Sequence, residues 1–316
     1  MIKKTVYMDK MNIHKKYTAI HKTSLAEKGR WLIFAWVMLQ LAGCVKDELY
    51  NTPHPDKGAV QVTTDWTGRS SDATLPTDYL LRIGSEEQTV KSETNVFKSL
   101  FLPGTQSLLV YHQTEGITIS GTTATVNTLE DGTLNPMPGF LFSAVKELNI
   151  QKDDTLKVTV PMTQHIRTLA LTLTLNPGDE QRIAGTSATL TGIAPSVDLS
   201  TGSVAATEGK TVVPIFTLGT DDGKNRATGN PVLAASLRLL GVAAEEKQVL
   251  RLAVTLTDGH VQDITTDLTE ALKHFDTGAD MEPLALDATL TMSVDGQYNG
   301  SITGWEQKGG LTVDAD

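Results

Sequence analysis

The only cysteine of the chain, Cys44, is the residue whose type and position point most directly to chemistry. A cysteine thiol is intrinsically nucleophilic, and it can be acylated or alkylated. An apolar run over 31–39 precedes it, and Lys28 and Arg30 stand just before that run. A basic flank, a short apolar core and small residues before a cut are typical of a secretory signal. The three residues directly before the cysteine are Leu41, Ala42 and Gly43.

The order Leu-Ala-Gly-Cys resembles a bacterial lipobox, which implies that residues 1–43 are removed and that Cys44 becomes a lipidated N-terminus. A membrane-spanning helix fits less well, because the apolar stretch over 31–43 has 13 residues and a span needs about 20. A buried structural cysteine is the other alternative. An exported chain with no second cysteine for a disulfide favours the lipid. Met8 and Met11 both stay open as the true start.

Charged residues follow the cysteine directly, at Lys46, Asp47 and Glu48. This run resembles the acidic export tag of Bacteroidetes lipoproteins, and an ordinary solvated linker is the alternative. The resemblance implies a lipid-anchored protein on the outer face of the outer membrane. The prolines and charges of 44–57 predict an extended tether between the lipid and the fold.

The charge of the exported part excludes one class of partner. Residues 1–43 hold eight of the 27 basic and two of the 37 acidic residues. The remaining 19 basic and 35 acidic residues give residues 44–316 a net charge near −16. Such a surface repels nucleic acid and anionic lipid, so we predict no nucleic-acid partner and a membrane contact made only by acyl chains.

The elements behind the tether are short and threonine-rich, and many alternate apolar and polar residues, which predicts strands. In the first half, the predicted strands are 59–66, 79–83, 96–101, 107–112, 117–126, 140–142 and 155–160. In the second half they are 166–175, 188–193, 211–218, 232–240, 249–256, 284–294, 301–305 and 311–313. Helical spacing over 263–273 predicts one short surface helix. We therefore predict an all-β protein with two tandem β-sandwiches, 58–160 and 161–316.

Other motifs that could carry chemistry are absent or incomplete. The run over 207–211 resembles the end of a phosphate-binding loop, but Val204 stands where a glycine is needed. The acids at 221–222 lack the spacing of a calcium loop. No histidine after the signal has a partner at metal-ligand spacing; they are His54, His112, His165, His260 and His274. We predict no catalytic, metal or cofactor-binding residues, and we expect Trp66 and Trp305 to lie in the cores.

Several segments, taken in order, resemble the fimbrillin-associated anchor lipoproteins of Bacteroidetes. They are the lipobox, Val60–Trp66, Leu102–Gly104, Ser107–Tyr111, Pro138–Phe142, Val160–Arg167 with the leucines that follow, and Ile302–Trp305. The resemblance implies two transthyretin-like Greek-key sandwiches and a fimbrial anchor or accessory subunit that joins fimbriae to the cell. The fimbrial subunits would be bound by strand exchange or edge pairing.

The family resemblance also implies a contrast between anchor and shaft. Shaft subunits are trimmed at the N-terminus, which opens a groove for a neighbour's strand, whereas anchors keep their lipid. Arg69 follows the first predicted strand, and a cut there would separate the fold from Cys44. This favours an anchor. A surface lipoprotein that binds glycan or host protein is the alternative, and an exposed pair of aromatic rings would support it. A cleft where histidines and acids converge would favour an enzyme.

Overall fold

In a computed structural model, most segments of this chain with an apolar residue at every second position form strands. The structure describes residues 55–204, 208–220, 229–276, 281–293 and 300–308, with the backbone of 311–312. The predicted all-β class is confirmed. The predicted signal 1–43 and most of the tether 44–57 lie outside the described residues.

Strands from the first half of the described chain build two antiparallel or mixed sheets. One has the order β4-β1-β9 and the other the order β10-β8-β5-β2-β3. The strands are β1 (Ala59–Asp65), β2 (Tyr79–Ile83), β3 (Glu86–Val90), β4 (Thr94–Val96), β5 (Gly104–Tyr111), β6 (Ile117–Ser120), β7 (Thr123–Val126), β8 (Phe142–Ile150), β9 (Thr155–Pro161) and β10 (Thr163–Gln164).

The second half builds a six-stranded and a four-stranded sheet, ordered β15-β16-β11-β19-β20-β21 and β14-β12-β17-β18. Its strands are β11 (Arg167–Leu175), β12 (Ile183–Ile193), β13 (Ser196–Asp198), β14 (Lys210–Val212), β15 (Thr217–Thr220), β16 (Pro231–Leu239), β17 (Val249–Leu256), β18 (Val261–Asp267), β19 (Leu284–Thr291), β20 (Ser301–Gln307) and β21 (Leu311–Thr312). A 3-10 helix spans Asp179–Arg182, and helix α1 spans Thr269–Leu272.

The two halves are joined by more than the chain between β10 and β11. A fifth sheet, ordered β13-β7-β6, takes strands from both halves. The amide of Leu134 donates to the Thr211 carbonyl at 2.8 Å, and the Arg238 guanidinium lies 4.3 Å from the Phe140 ring centroid. The division at 160/161 stays a prediction; in the structure strand β9 continues to Pro161.

The predicted helix over 263–273 is wrong in its first half. Residues up to Asp267 belong to β18, because Gln262 and Ile264 face inward and their neighbours outward, which is a period of two. Pairing with β17 outweighs the local helical spacing. Only Thr269–Leu272 is helical.

Three predicted strands have different bounds for local reasons. Residues 117–126 form the hairpin of β6 and β7, because Gly121 adopts a positive φ of 65° between them. Pro214 lacks an amide donor and separates β14 from β15. Beyond Val96 the third predicted strand is irregular, because Phe97 and Phe101 both turn inward and stack edge to face at 5.1 Å. Strand β3 and most of β8 were not predicted.

Candidate functional site

The residues predicted for lipidation, cleavage and export all lie outside the described residues. They are Cys44, then Leu41, Ala42 and Gly43, then Lys46, Asp47 and Glu48. Their roles stay predictions. Within the described ranges, no helix is long and apolar enough to cross a bilayer.

Two buried histidines, His112 and His165, have pKa values that the fold lowers. Burial lowers the pKa of His112, whose Nε2 accepts the Phe142 amide at 3.2 Å. Burial also lowers the pKa of His165 to about 4, and its Nε2 is hydrogen-bonded to the Ser143 hydroxyl at 2.7 Å. Neither ring lies in a group of three or more His, Cys, Asp or Glu that could hold a metal, and the described part of the chain contains no such group. Both histidines are hydrogen-bonded to residues at the start of β8.

Acid is expected to destabilise the protein through His165. Its folded pKa lies below the usual 6.5, so stability is lost as pH falls from 6.5 towards 4. A shift of this size corresponds to about 3 kcal/mol of unfolding free energy. Urea unfolding from pH 7 to 4 should show a steeper loss for the natural protein than for His165→Gln. Asp276 lines the same cavity of about 340 Å³ and its pKa is raised by burial, which opposes the effect in both proteins alike. Equal pH slopes for the two proteins would contradict this assignment.

The first strand is the centre of its sheet. Strand β1 pairs antiparallel with β4 and parallel with β9, and it therefore fills the space between them. Val60, Val62 and Thr64 point inward and are completely buried. The strand is thus part of the core of the first half rather than a peripheral extension.

A polar and aromatic cluster holds the end of β1. The Trp66 indole donates from Nε1 to Thr64 Oγ1 at 2.8 Å, and its ring stacks edge to face on Tyr79 and Phe142. The Tyr79 hydroxyl donates to the Ser92 carbonyl at 2.7 Å. Trp66 is only partly buried and packs against the core, whereas Trp305 is buried, as expected.

The segment after β1 is fixed to distant strands. Arg69 is exposed, and its amide donates to the Trp66 carbonyl at 3.3 Å, which closes a turn. The next residue, Ser70, is buried, and its amide donates to Gln164 Oε1 at 2.9 Å. Gln164 Nε2 donates back to the Ser70 hydroxyl and to the Ile166 carbonyl. The peptide bond after Arg69 is therefore held in a closed turn.

Two further bonds extend this attachment into the second half. The Ser71 amide donates to Glu282 Oε1 at 2.8 Å, and the Thr168 hydroxyl donates to Asp72 Oδ2 at 2.6 Å. Sequence reasoning missed Gln164 and Glu282, because they lie 94 and 211 residues from their partners. No local pattern could have identified them.

The two edges of the β4-β1-β9 sheet differ. At the β4 edge, Gln88 of β3 donates to the Val96 carbonyl at 3.2 Å and accepts the Lys98 amide at 2.9 Å. The Gln88 side chain therefore satisfies the backbone carbonyl of Val96 and the backbone amide of Lys98 at the edge of a short strand. At the other edge, β9 pairs only with β1 among the described residues. The β9 edge is thus the open one.

A second open edge lies in the six-stranded sheet. All four residues of β15 are exposed, and this strand pairs only with β16 in the described part of the chain. Leu218 is half exposed, and Ile215 just before the strand is 70% exposed. An uncharged edge strand with exposed apolar residues can pair with another chain.

The sequence model of the Fimbrillin-A associated anchor proteins Mfa1 and Mfa2 matches residues 50–309. The chain has no sequence match among curated proteins. Its fold is similar to several solved structures at low identity. The anchor protein Mfa2 of Porphyromonas gingivalis has a TM-score of 0.57 and 10% identity, over 81% of this chain and 99% of that one.

Two proteins of Bacteroides described as adhesin candidates share the fold at the same level. The one from Bacteroides thetaiotaomicron has a TM-score of 0.58 and 13% identity, over 81% of this chain and 97% of that one. The one from Bacteroides ovatus has a TM-score of 0.54 and 12% identity, over 84% and 98%. At these identities the likeness shows the fold alone, and the match over 50–309 shows the family.

Proposed function

Because this chain belongs to the fimbrillin-A associated anchor family, we propose that it is a lipid-anchored outer-membrane protein that joins a fimbria to the cell surface by strand addition. Membership makes it a fimbrial or adhesin-like surface protein and not an enzyme. The finer parts of the proposal are the acyl chain on Cys44, the outer membrane as its location, and strand pairing with fimbrial subunits.

The observation that carries the proposal is the retained first strand. Strand β1 leads from the tether into the middle of its sheet, where Val60 and Val62 are fully buried. A subunit that fills this position with its own strand needs no neighbour's strand there. A chain that keeps β1 also keeps the covalent path from Cys44 to the fold. Both properties suit a subunit at the base of a fimbria.

Crosslinking in intact outer membranes tests this role. An affinity tag is placed between Asp221 and Lys224, and the crosslinked products are identified by mass spectrometry. Fimbrial subunits attached to the protein support the proposal. Products that contain host glycoprotein or glycan, and no fimbrial subunit, would replace it with a ligand-binding role.

The alternative of a glycan-binding lipoprotein has less support from the described residues. Stacking on sugars needs exposed aromatic rings. Among the residues that the structure describes, Trp66 is half-buried against two other rings and every other aromatic side chain is buried. The face of these sheets therefore lacks the exposed aromatic pair that would favour this function.

Replacing Gln164 with alanine is expected to expose the bond after Arg69 to trypsin. Without the side chain, the buried Ser70 amide loses its acceptor, which costs about 1–3 kcal/mol. Opening of the turn should become about fivefold to a hundredfold more frequent, since each 1.4 kcal/mol is a factor of ten. The measurement is the rate at which a fragment beginning at Ser70 appears. Gln151→Ala changes an exposed glutamine and should leave that rate unchanged. An unchanged rate in Gln164→Ala would show that this side chain does not protect the first strand.

A further inference from the structure

The two halves contain the same three-strand arrangement. In the first half, β1 lies between an antiparallel β4 and a parallel β9; in the second, β11 lies between an antiparallel β16 and a parallel β19. The registers also correspond. Val60 and Val62 are opposite Leu156 and Val158, as Leu169 and Leu171 are opposite Leu284 and Leu286. Strand β9 is therefore the counterpart of β19.

Strands β9 and β19 differ in what pairs with the edge that faces away from β1 and β11. Strand β20 pairs antiparallel with β19, whereas β9 has no further strand among the described residues. The inward residues reflect this difference. Leu284 and Leu286 are 5% and 1% exposed, while Leu156 and Val158 are only half-buried against the same core. Among the described residues, the first half therefore has no counterpart of β20 beside β9.

The open edge of β9 presents unpaired backbone groups. The Ala59 amide donates to the Asp154 carbonyl and the Met162 amide to the Asp65 carbonyl, so even-numbered residues of β9 face β1. The odd-numbered residues Thr155, Lys157 and Thr159 then direct their backbone groups outward. Asp154 Oδ1 accepts the Thr155 amide at 2.7 Å, and Pro161, which has no amide hydrogen, ends the edge.

We propose that the outer edge of β9 accepts an antiparallel strand from a fimbrial subunit, in the position that β20 occupies over β19. The inference rests on the proposed anchoring role and names the edge that it uses. The added strand would pair its backbone with Lys157 and Thr159. Its inward apolar residues would complete the burial of Leu156 and Val158.

The chemistry of the edge constrains the added strand. Lys157 is the only charged residue of β9, so an acidic residue at the facing position of the partner is favoured. A second copy of this chain is a poor occupant, since an antiparallel pair centred on this lysine would oppose two like charges. A lysine and a proline can also protect an edge from all pairing. The substitutions below separate a docking edge from a protected one.

The test introduces one thiol, in addition to Cys44, on the edge of the full-length protein in intact outer membranes, and the natural protein treated in the same way controls for Cys44. Thr159→Cys places it beside the predicted partner strand, and Thr217→Cys places one on the β15 edge as a matched position. A maleimide–benzophenone probe is attached and irradiated, and crosslinked peptides are mapped by mass spectrometry. We expect Thr159→Cys to capture an extended segment of a fimbrial subunit with alternating apolar residues.

A proline substitution then tests whether backbone hydrogen bonds join β9 to the partner strand. Lys157→Pro removes an amide hydrogen that points away from β1, a position where an edge strand tolerates proline. It should reduce the crosslink about tenfold or more, because the partner's carbonyl loses its donor. Lys157→Thr keeps the amide and should retain most of the crosslink. Unchanged thermal midpoints in both variants exclude misfolding as the cause.

Other outcomes overturn this inference in distinguishable ways. Fimbrial crosslinks from Thr217→Cys and none from Thr159→Cys would move the docking edge to β15 and leave the anchoring role intact. Crosslinks from Thr159→Cys only between copies of this chain would make the β9 edge a self-association surface. Equal crosslinking in Lys157→Pro and Lys157→Thr would exclude backbone pairing. No fimbrial crosslink at either edge would contradict the anchoring role itself.

Discussion

Replacing Cys44 with alanine is expected to abolish fatty-acid labelling and to leave the protein either uncleaved or released from the membrane. An acyl chain contributes about 0.8 kcal/mol for each buried methylene group, and stable attachment needs more than one membrane signal. The proposed acyl chains on Cys44 would supply these signals, because the net charge near −16 of residues 44–316 repels anionic lipid and the protein surface adds little. The lipid should therefore account for nearly all of the membrane attachment.

The measurement is incorporation of an alkynyl palmitate analogue, followed by separation of membrane and soluble fractions. The matched control replaces Asp47 and Glu48 with alanine, which changes the predicted export tag and leaves the thiol in place. This control should keep all of its acyl label, even if the protein then lies on the other face of the outer membrane. Persistent acyl label in Cys44→Ala would show that another residue carries the lipid.

The strands that were predicted well share one property. Leu169, Leu171 and Leu173 alternate with threonine and alanine, and they form the inward face of β11. The same period of two predicted β1 and β9 within one residue of their ends. Alternation is a local signal, because a strand with one buried face must show it in its own sequence.

The features that were missed depend on contacts between distant residues. Nothing near Gln164 in the sequence indicates that it binds Ser70, and nothing near Gln88 indicates that it closes the β4 edge. Residues 263–273 have apolar spacings that fit a helix locally, but pairing with β17 makes the residues up to Asp267 a strand. The open edge of β9 is likewise a property of the sheet order, which no local pattern of residues encodes.

Replacing Val62 with aspartate is expected to unfold the first half of the protein. Val62 is fully buried in the middle of β1, between Asn95 of β4 and Val158 of β9. An unpaired carboxylate at such a site costs several kcal/mol. The whole stability of a domain is about 5–15 kcal/mol, so this loss is a large part of it. Urea unfolding should show the decrease, and hydrogen exchange should rise in the amides of β4 and β9.

Gln61→Asp is the matched control, because it places the same charge on the other face of the same strand. Gln61 is partly exposed and lies opposite Lys157, so the new carboxylate faces solvent and a cation. We expect stability within about 1 kcal/mol of the natural protein. If Val62→Asp were equally mild, β1 would not be an integral core strand. A dispensable first strand would leave its position open to a neighbour's strand, and the chain would then have the property of a shaft subunit rather than of an anchor.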